Sequence, residues 1–236
     1  MRQYEFTYWG APVVGQVLNV FSPLTLADKF YSYNANVGVN NWVIENQNNV
    51  MMPGKGYAIR APQGYTTTPQ VFSGEFIGVP NNGNISANVA GFNPALLNYN
   101  LLANPYPSAI NVITLLDNTN LGTLYFWTHN SAITNNVFTS SDYAIRTRTT
   151  GIAAVTGGTA PGLNIAAGQA FFASAGTTTT INFTNAMRVA GNNSQFYRNA
   201  QNVPLNYYVH LNLTNTLGAF KQIAFGTEQF NLPILS

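Results

Sequence analysis

The residues of this sequence that could carry out acid–base or nucleophilic chemistry lie in one short stretch of the chain. His129 follows a strand-like run, and Asp142 comes soon after it. A serine, a histidine and a carboxylate form a hydrolytic triad when the histidine takes the serine proton and the carboxylate orients the histidine. Ser131, Ser140 and Ser141 are the candidate nucleophiles. One hypothesis is therefore a hydrolase whose site lies near His129 and Asp142.

A structural role for the same stretch is the favoured interpretation. The sequence has no Gly-x-Ser-x-Gly elbow, the strained turn that exposes a nucleophilic serine. Thr128, His129 and Asn130 have side chains suited to capping a turn after a strand. We therefore predict a protein that is not an enzyme, with His129, Asp142 and Ser141 kept as catalytic candidates.

Metal and cofactor chemistry has little basis in the sequence. The acidic residues are scattered, so spacing places no carboxylate pair for glycoside hydrolysis and no Asp-x-Asp-x-Asp cluster for calcium. There is no cysteine for a disulfide, a thiolate or a Cys-based zinc site. Gly54-Lys55-Gly56 lacks the rest of a phosphate-binding loop and is predicted to be a turn. We predict no metal and no cofactor, and a calcium site made of Asn side chains and carbonyls stays open.

Carbohydrate recognition has a better basis, because it uses aromatic platforms together with neutral amides. Trp42 lies beside Asn41 in a loop-like stretch, and it is the residue we predict to be an exposed platform for a sugar. Trp9 and Trp127 lie in strand patterns, where they are expected to fill the core.

Composition narrows the class of protein. Charged residues make up 7% of the chain, against roughly 25% in an ordinary globular protein. Their place is taken by neutral polar residues, chiefly 33 Asn and 24 Thr. No stretch of about 18 apolar residues is present, so membrane insertion is not expected. The net charge of +2 comes from basic residues that are scattered along the chain. Only Arg146 and Arg148 are predicted to share a face of an exposed strand. Nucleic acid is therefore not an expected partner.

Short alternating runs bounded by Asn, Gly and Pro predict an all-β fold of two related antiparallel halves, each sandwich-like or jelly-roll-like, packed together. Short helical turns are expected only at 22–28 and 108–116. Strands are predicted at Phe6–Trp9, Phe30–Tyr33, Gly56–Arg60, Val71–Ile77, Thr123–Thr128, Ala144–Thr147, Ala170–Ala173, Thr179–Phe183 and His210–Leu213.

Internal similarity sets the predicted domain organisation. Segments around Tyr8–Pro12 and Pro53–Ile59 recur in the same order around Leu102–Pro107 and Ala166–Phe172. We predict a first half at 1–95, a second half at 96–200 with an insertion near 130–165, and a C-terminal strand and tail at 201–236. The alternative is that Gly-x-aromatic strands recur by chance in any Asn- and Gly-rich β protein.

Several longer motifs carry a family resemblance. They include Asp28–Tyr33, Gly54–Pro62, Asn104–Ile110 and Gly122–Asn130. The chain resembles the β-rich region that precedes the type IX secretion (type A) sorting domain in large secreted or surface proteins of Bacteroidota. This resemblance implies export and display or release at the cell surface, and it implies no catalytic residue. Ile223–Ser236 does not resemble the continuation in those relatives, so we expect a truncated tail.

Together these observations predict a non-enzymatic extracellular module that acts in adhesion or as a structural spacer. The first alternative is a glycan-binding module, and the second is the hydrolase near His129 and Asp142. A polysaccharide or another surface component is the expected partner, and the oligomeric state stays open.

Overall fold

Strands dominate the computed structural model, which describes residues 1–38, 41–96, 98–133, 137–193, 207–214 and 220–227. The first strands are β1 (Phe6–Trp9), β2 (Val13–Val14), β3 (Phe30–Tyr33), β4 (Trp42–Ile44), β5 (Tyr57–Arg60), β6 (Val79–Pro80) and β7 (Ile85–Val89). The next are β8 (Asn100–Ala103), β9 (Ala109–Asn111), β10 (Leu121–Trp127), β11 (Tyr143–Arg146), β12 (Gly151–Ile152), β13 (Asn164–Ile165), β14 (Ala170–Ala175), β15 (Thr179–Phe183) and β16 (Arg188–Val189). The last are β17 (Tyr207–Thr214) and β18 (Phe220–Thr227).

The described helices are short, α1 (Leu18–Phe21) and α2 (Val112–Asp117). The side chain of Asn111 caps α2 by accepting a hydrogen bond from the Thr114 amide. Every described strand pair is antiparallel. The predicted all-β class is therefore confirmed. Within the described residues, no helix is long and apolar enough to cross a membrane.

Two main sheets share one strand order. The first sheet runs β1-β5-β3-β4, and the second runs β8-β14-β10-β11 with β12 added at its edge. The small pairs repeat as well, since β2 pairs with β6 and β9 pairs with β16. The same arrangement thus occurs twice along the described chain.

The residue pairs inside the two sheets also correspond. Cross-strand pairs of the first sheet have equivalent pairs in the second. In that order, the pairs are Trp9↔Tyr57 and Leu102↔Phe171, Tyr8↔Ala58 and Leu101↔Phe172, Tyr31↔Ala58 and Tyr125↔Phe172, and Tyr33↔Trp42 and Trp127↔Tyr143. Because a shift of one residue would turn every side chain to the opposite face, this agreement in register gives the equivalent positions of both sheets the same orientation.

Alternation along the strands produces three apolar layers. One face of the first sheet packs on a first core that includes Phe21, Phe30 and Tyr57. One face of the second sheet packs on a second core that includes Leu124 and Phe171. The remaining faces meet in what we call the central aromatic layer. Its buried members are Tyr8, Ala58, Leu101, Ala103, Trp127, Ala170 and Phe172, and its partly buried members are Phe6, Tyr31, Tyr33, Tyr99, Tyr125 and Tyr143.

The two sheets meet most closely at equivalent positions. A Cβ atom built on Gly10 would lie 2.0 Å from the Cβ of its counterpart Ala103. The amide of Gly10 donates to the Gly168 carbonyl, and the amide of Ala103 donates to the Gly54 carbonyl. These contacts are reciprocal, as they are across a two-fold axis. Position 10 requires glycine, because the Cβ atom of any other residue would overlap the Cβ atom of Ala103.

Two predictions of secondary structure need correction here. Val71–Ile77 is not a strand, although its residues alternate. Phe72 and Phe76 instead pack on Phe21 and are partly buried there without a partner strand, and the Ile77 amide donates to the Gln16 side chain. The first helix begins at Leu18 and ends before the predicted range, because Leu18 and Phe21 form its buried face.

The arginines at 146 and 148 do not share an exposed strand face. Arg146 is buried at the end of β11, where its Nη1 donates to the Pro161 carbonyl. Arg148 lies beyond the strand and forms an exposed ion pair with Asp117. The strand ends between them, which separates the two charges.

The chain divides into two compact units, Met1–Asn199 and Ala200–Ser236. The first unit contains both main sheets and all three apolar layers. In the second unit, β17 and β18 form an antiparallel pair from Tyr207↔Thr227 to Thr214↔Phe220. The end of the predicted truncated tail, 228–236, lies outside the described residues.

Candidate functional site

A cavity of about 490 Å³ opens in the central aromatic layer, between the first and second sheets. Its volume lies within the range of about 300–1,000 Å³ that small-molecule sites occupy. The first sheet contributes Phe6, Tyr8, Tyr31, Trp42 and Ala58, and the second sheet with its following loop contributes Trp127, Phe138, Thr139, Ser140 and Tyr143.

Trp42 forms the exposed wall of this cavity. It begins the edge strand β4, and its side chain is 41% exposed. Its ring centroid lies 5.9 Å from that of Tyr8 and 5.1 Å from that of Tyr33. An aromatic ring that is fixed on one side and open on the other is a platform for a ligand. The sequence analysis predicted that Trp42 is exposed. It placed the residue in a loop, whereas Trp42 begins a strand.

The two halves differ at several positions of the central aromatic layer, and one of these differences places a small side chain at the cavity. Ala58 of the first sheet corresponds to Phe172 of the second. The Phe172 ring fills its side of the layer, with its centroid 5.5 Å from that of Tyr8 and 4.8 Å from that of Tyr33. The methyl group of Ala58 leaves the equivalent space empty on the other side, and that space is part of the cavity.

Polar atoms lie among the aromatic rings. The hydroxyls of Tyr8 and Tyr143 are 2.8 Å apart, within hydrogen-bonding distance. Burial is the main cause that raises the pKa of both tyrosines, so both remain neutral at ordinary pH. The buried Nε1 of Trp127 has no hydrogen-bond partner among the described residues. Ser140 is exposed beside the cavity and adds a further hydroxyl.

Behind this cavity, His129 belongs to a buried polar cluster that joins the N-terminal segment to the second half. His129 Nδ1 lies 3.5 Å from Glu5 Oε1 and 2.9 Å from the Ser131 carbonyl oxygen. Arg2 donates to the Glu5 carboxylate and, through Nη2, to the His129 carbonyl. The backbone of His129 has a φ of 51°, a conformation in which residues other than glycine are uncommon. These contacts hold the turn in that conformation.

Asp142 is 1% exposed and ties together the loops around it. Its carboxylate accepts hydrogen bonds from the Ser131 amide and hydroxyl, at 3.2 and 3.1 Å, and from the Thr156 hydroxyl. The Ser131 hydroxyl thus donates to the carboxylate. In a triad, the serine would donate to the histidine and the histidine to the carboxylate. Asp142 therefore has the contacts of a structural anchor.

The remaining candidate nucleophiles lie in the short 3₁₀ turn Ser140–Asp142. The Ser141 amide donates to the Thr139 hydroxyl, and the Ser141 carbonyl accepts a hydrogen bond from Thr156. The backbone of Ser141 therefore helps to form the turn that positions Asp142. Across the described part of the chain, no group of three or more His, Asp or Glu side chains lies close enough to hold a metal ion.

Comparison with protein families gives one match. A family model described as "Domain of unknown function (DUF8693)" matches residues 1–229. The chain belongs to the DUF8693 family. No curated protein and no solved structure matches it. The family match covers both main sheets of this DUF8693 domain, together with the cavity between them.

Among the residues that line the cavity of this DUF8693 domain, sequence reasoning singled out Trp42 as a ligand platform and Ser140 as a candidate nucleophile. Tyr8, Tyr31, Trp127 and Tyr143 were missed because aromatic residues in alternating strands have the same pattern whether they fill a core or line a cavity. The available signal was the internal repeat. Aligning Ala58 with Phe172 shows a large ring in one half and a methyl group in the other.

Proposed function

We propose that this domain is a non-enzymatic binding module of a secreted or cell-surface protein, and that it binds a glycan in the aromatic cavity. The observation that carries the proposal is the cavity itself, because Trp42, Tyr8, Tyr31 and Trp127 offer ring faces in a space of about 490 Å³. The C–H faces of a sugar ring pack well against such rings, and the sugar hydroxyls need hydrogen-bond partners nearby.

Those hydrogen-bond partners are present and uncharged. The tyrosine hydroxyls of Tyr8 and Tyr143 can donate or accept, and Thr139 and Ser140 lie along the cavity wall. A neutral lining suits hydroxyl groups, since binding them does not require a charged side chain to lose its water. The proposal therefore uses both the rings and the polar atoms of the cavity.

The extracellular location is part of the proposal, and it is supported by the resemblance to surface proteins of Bacteroidota that are exported by type IX secretion. A module exposed at the cell surface meets polysaccharides, and holding them would serve adhesion. A domain that binds no glycan would instead be a structural spacer, and the experiment below separates the two.

The test is a glycan array followed by titration of the best ligand, with tryptophan fluorescence as the signal. Trp42→Ala removes the exposed platform, and Ala58→Phe introduces the ring that the second half has at the equivalent position. Each change is expected to weaken binding at least tenfold. Phe92→Ala is the control, because Phe92 is 37% exposed, close to the exposure of Trp42, and does not line the cavity.

Absence of binding to every glycan on the array would refute glycan recognition and leave the spacer. Binding that both cavity variants retain at full strength would place the ligand elsewhere on the domain. Circular dichroism of the variants checks that the sheets are intact.

A further inference from the structure

A second, smaller cavity adjoins the aromatic cavity and differs from it in charge. It has a volume of about 360 Å³ and shares Phe6, Tyr31 and Phe138 with its neighbour. It adds two cationic side chains, Lys29 and Arg60. A ligand lying over the shared rings would therefore reach both cations.

Arg60 is a buried cation without a carboxylate partner. It ends β5, where its side chain faces this second cavity, and the residue is only 8% exposed. Its Nη2 donates to the amide oxygen of Gln63 at 2.9 Å, and its guanidinium lies 5.4 Å from the centre of the Tyr4 ring. Its Nε is buried without a hydrogen-bond partner, and the described residues place no carboxylate within 4.0 Å of it.

The other charged groups around this cavity are already paired. Lys29 forms an ion pair with Asp28 at 2.5 Å. The hydrogen bond from Lys29 is the main cause that lowers the pKa of Asp28, and the more distant charge of Arg60 is the weakest. Nearby Glu5 is held by Arg2. Of these side chains, Arg60 is thus the one for which the described residues provide no ion pair.

Burying a charge is costly unless an opposite charge or a full set of hydrogen bonds compensates it. A guanidinium has donors in a planar fork, and a carboxylate matches that fork with parallel hydrogen bonds. The guanidinium of Arg60 lines this cavity and donates to Gln63 through Nη2, so other donors of the fork remain for a ligand in a cavity that shares lining residues with the proposed glycan site.

We propose that the ligand is an acidic glycan, and that Arg60 binds the carboxylate of a hexuronic acid residue whose ring packs in the aromatic cavity. This inference rests on the proposed glycan-binding function and adds the class of sugar.

The experiment compares each acidic glycan with its own carboxyl-reduced form, which keeps the sugar chain and loses only the charge. Polygalacturonate, alginate and hyaluronan oligosaccharides are titrated against the wild-type protein and against Arg60→Gln. We expect the wild type to bind at least one acid form about tenfold more tightly than its reduced form. Arg60→Gln should remove that difference and leave binding of the reduced form unchanged.

Two controls keep the result interpretable. Arg148→Gln removes an exposed arginine that pairs with Asp117, and it should leave the acid preference intact. Raising the salt concentration for the wild-type protein should weaken binding of the acid form and spare the reduced form, which tests the charge without any variant. Arg60→Gln should also fold at least as stably as the wild type, because it removes an uncompensated buried charge.

The outcomes separate the two proposals. Equal binding of acid and reduced forms to the wild type would overturn the acidic preference and leave glycan binding standing. An acid preference that survives in Arg60→Gln would overturn the role of Arg60. Preference for a sulfated glycan without uronic acid over every uronate would overturn the carboxylate as the group that Arg60 binds and assign a sulfate instead. Failure of all glycans, neutral and acidic, would refute both proposals together.

Discussion

Replacing Asp142 tests whether the cluster around His129 is structural. The carboxylate of Asp142 is buried and accepts hydrogen bonds from the Ser131 amide, the Ser131 hydroxyl and the Thr156 hydroxyl. Asp142→Ala leaves all three donors without their acceptor. A hydrogen bond to a charged group contributes about 1.5–3 kcal/mol, and bonds to one shared group are not additive. We therefore expect Asp142→Ala to lower the free energy of unfolding by about 3–5 kcal/mol.

Asp142→Asn is the milder change. The amide oxygen can still accept, but its NH₂ group faces donors that the second carboxylate oxygen had satisfied. We expect a loss of about 1–3 kcal/mol for this variant. Urea denaturation followed by circular dichroism measures both values.

The control is Asp117→Asn, which removes an exposed carboxylate paired with Arg148. Exposed ion pairs contribute about 0–1 kcal/mol, so this variant should unfold close to the wild-type midpoint. The structural assignment of Asp142 fails if Asp142→Ala is no less stable than Asp117→Asn. It also fails if a hydrolytic activity is found that His129→Ala and Asp142→Asn abolish while the fold stays intact.

Two further predictions concern the seam between the sheets and a buried tyrosine. Gly10→Ala should lower the free energy of unfolding by about 1–3 kcal/mol because its Cβ would overlap Ala103, whereas Gly64→Ala, with nothing within 4 Å, should be nearly neutral in thermal denaturation. Burial raises the pKa of Tyr57 from about 10 in the unfolded chain to about 12, so the unfolded state releases its proton first and stability should fall as the pH rises from 10 to 12. For Tyr57 alone, the free energy of unfolding should fall by about 1 kcal/mol between pH 9 and pH 11. Denaturation at both pH values should show a smaller fall in Tyr57→Phe. An identical fall in that variant would contradict the assignment.

Local pattern was enough to predict much of the fold. The strands at Phe6–Trp9, Phe30–Tyr33 and Thr179–Phe183 have the predicted bounds, and the last two alternate in burial as their sequence pattern indicates. The same rule failed at Val71–Ile77. There, Phe72 and Phe76 bury their rings on Phe21 without any partner strand, and alternation alone does not reveal whether a partner exists.

The candidate site was less predictable, because it depends on contacts between distant parts of the chain. Tyr8 and Tyr143 bring their hydroxyls together across 135 positions of sequence. Arg60 has the sequence context of an ordinary strand end, and its lack of a carboxylate partner appears only when its surroundings are assembled. Trp42 was predicted as a platform because its neighbours in sequence are polar and turn-forming, which is a local signal.

The reciprocal contacts of Gly10 with Ala103 have a consequence for the ancestry of the fold. A protein made of one half alone would expose the face that carries Tyr8, Tyr31 and Tyr33 or its counterpart, and a broad aromatic face of that kind needs a cover in water. A second copy of the same chain, turned by half a revolution, supplies that cover with matching strands. The two halves of the present chain meet through the same kind of reciprocal contacts as the copies of such a homodimer would. In a homodimer every substitution appears on both sides of the axis, so a cavity could form only in symmetric pairs or at the axis. Within one polypeptide each half can change separately, and the aromatic cavity lies where Ala58 of one half stands opposite in size to Phe172 of the other.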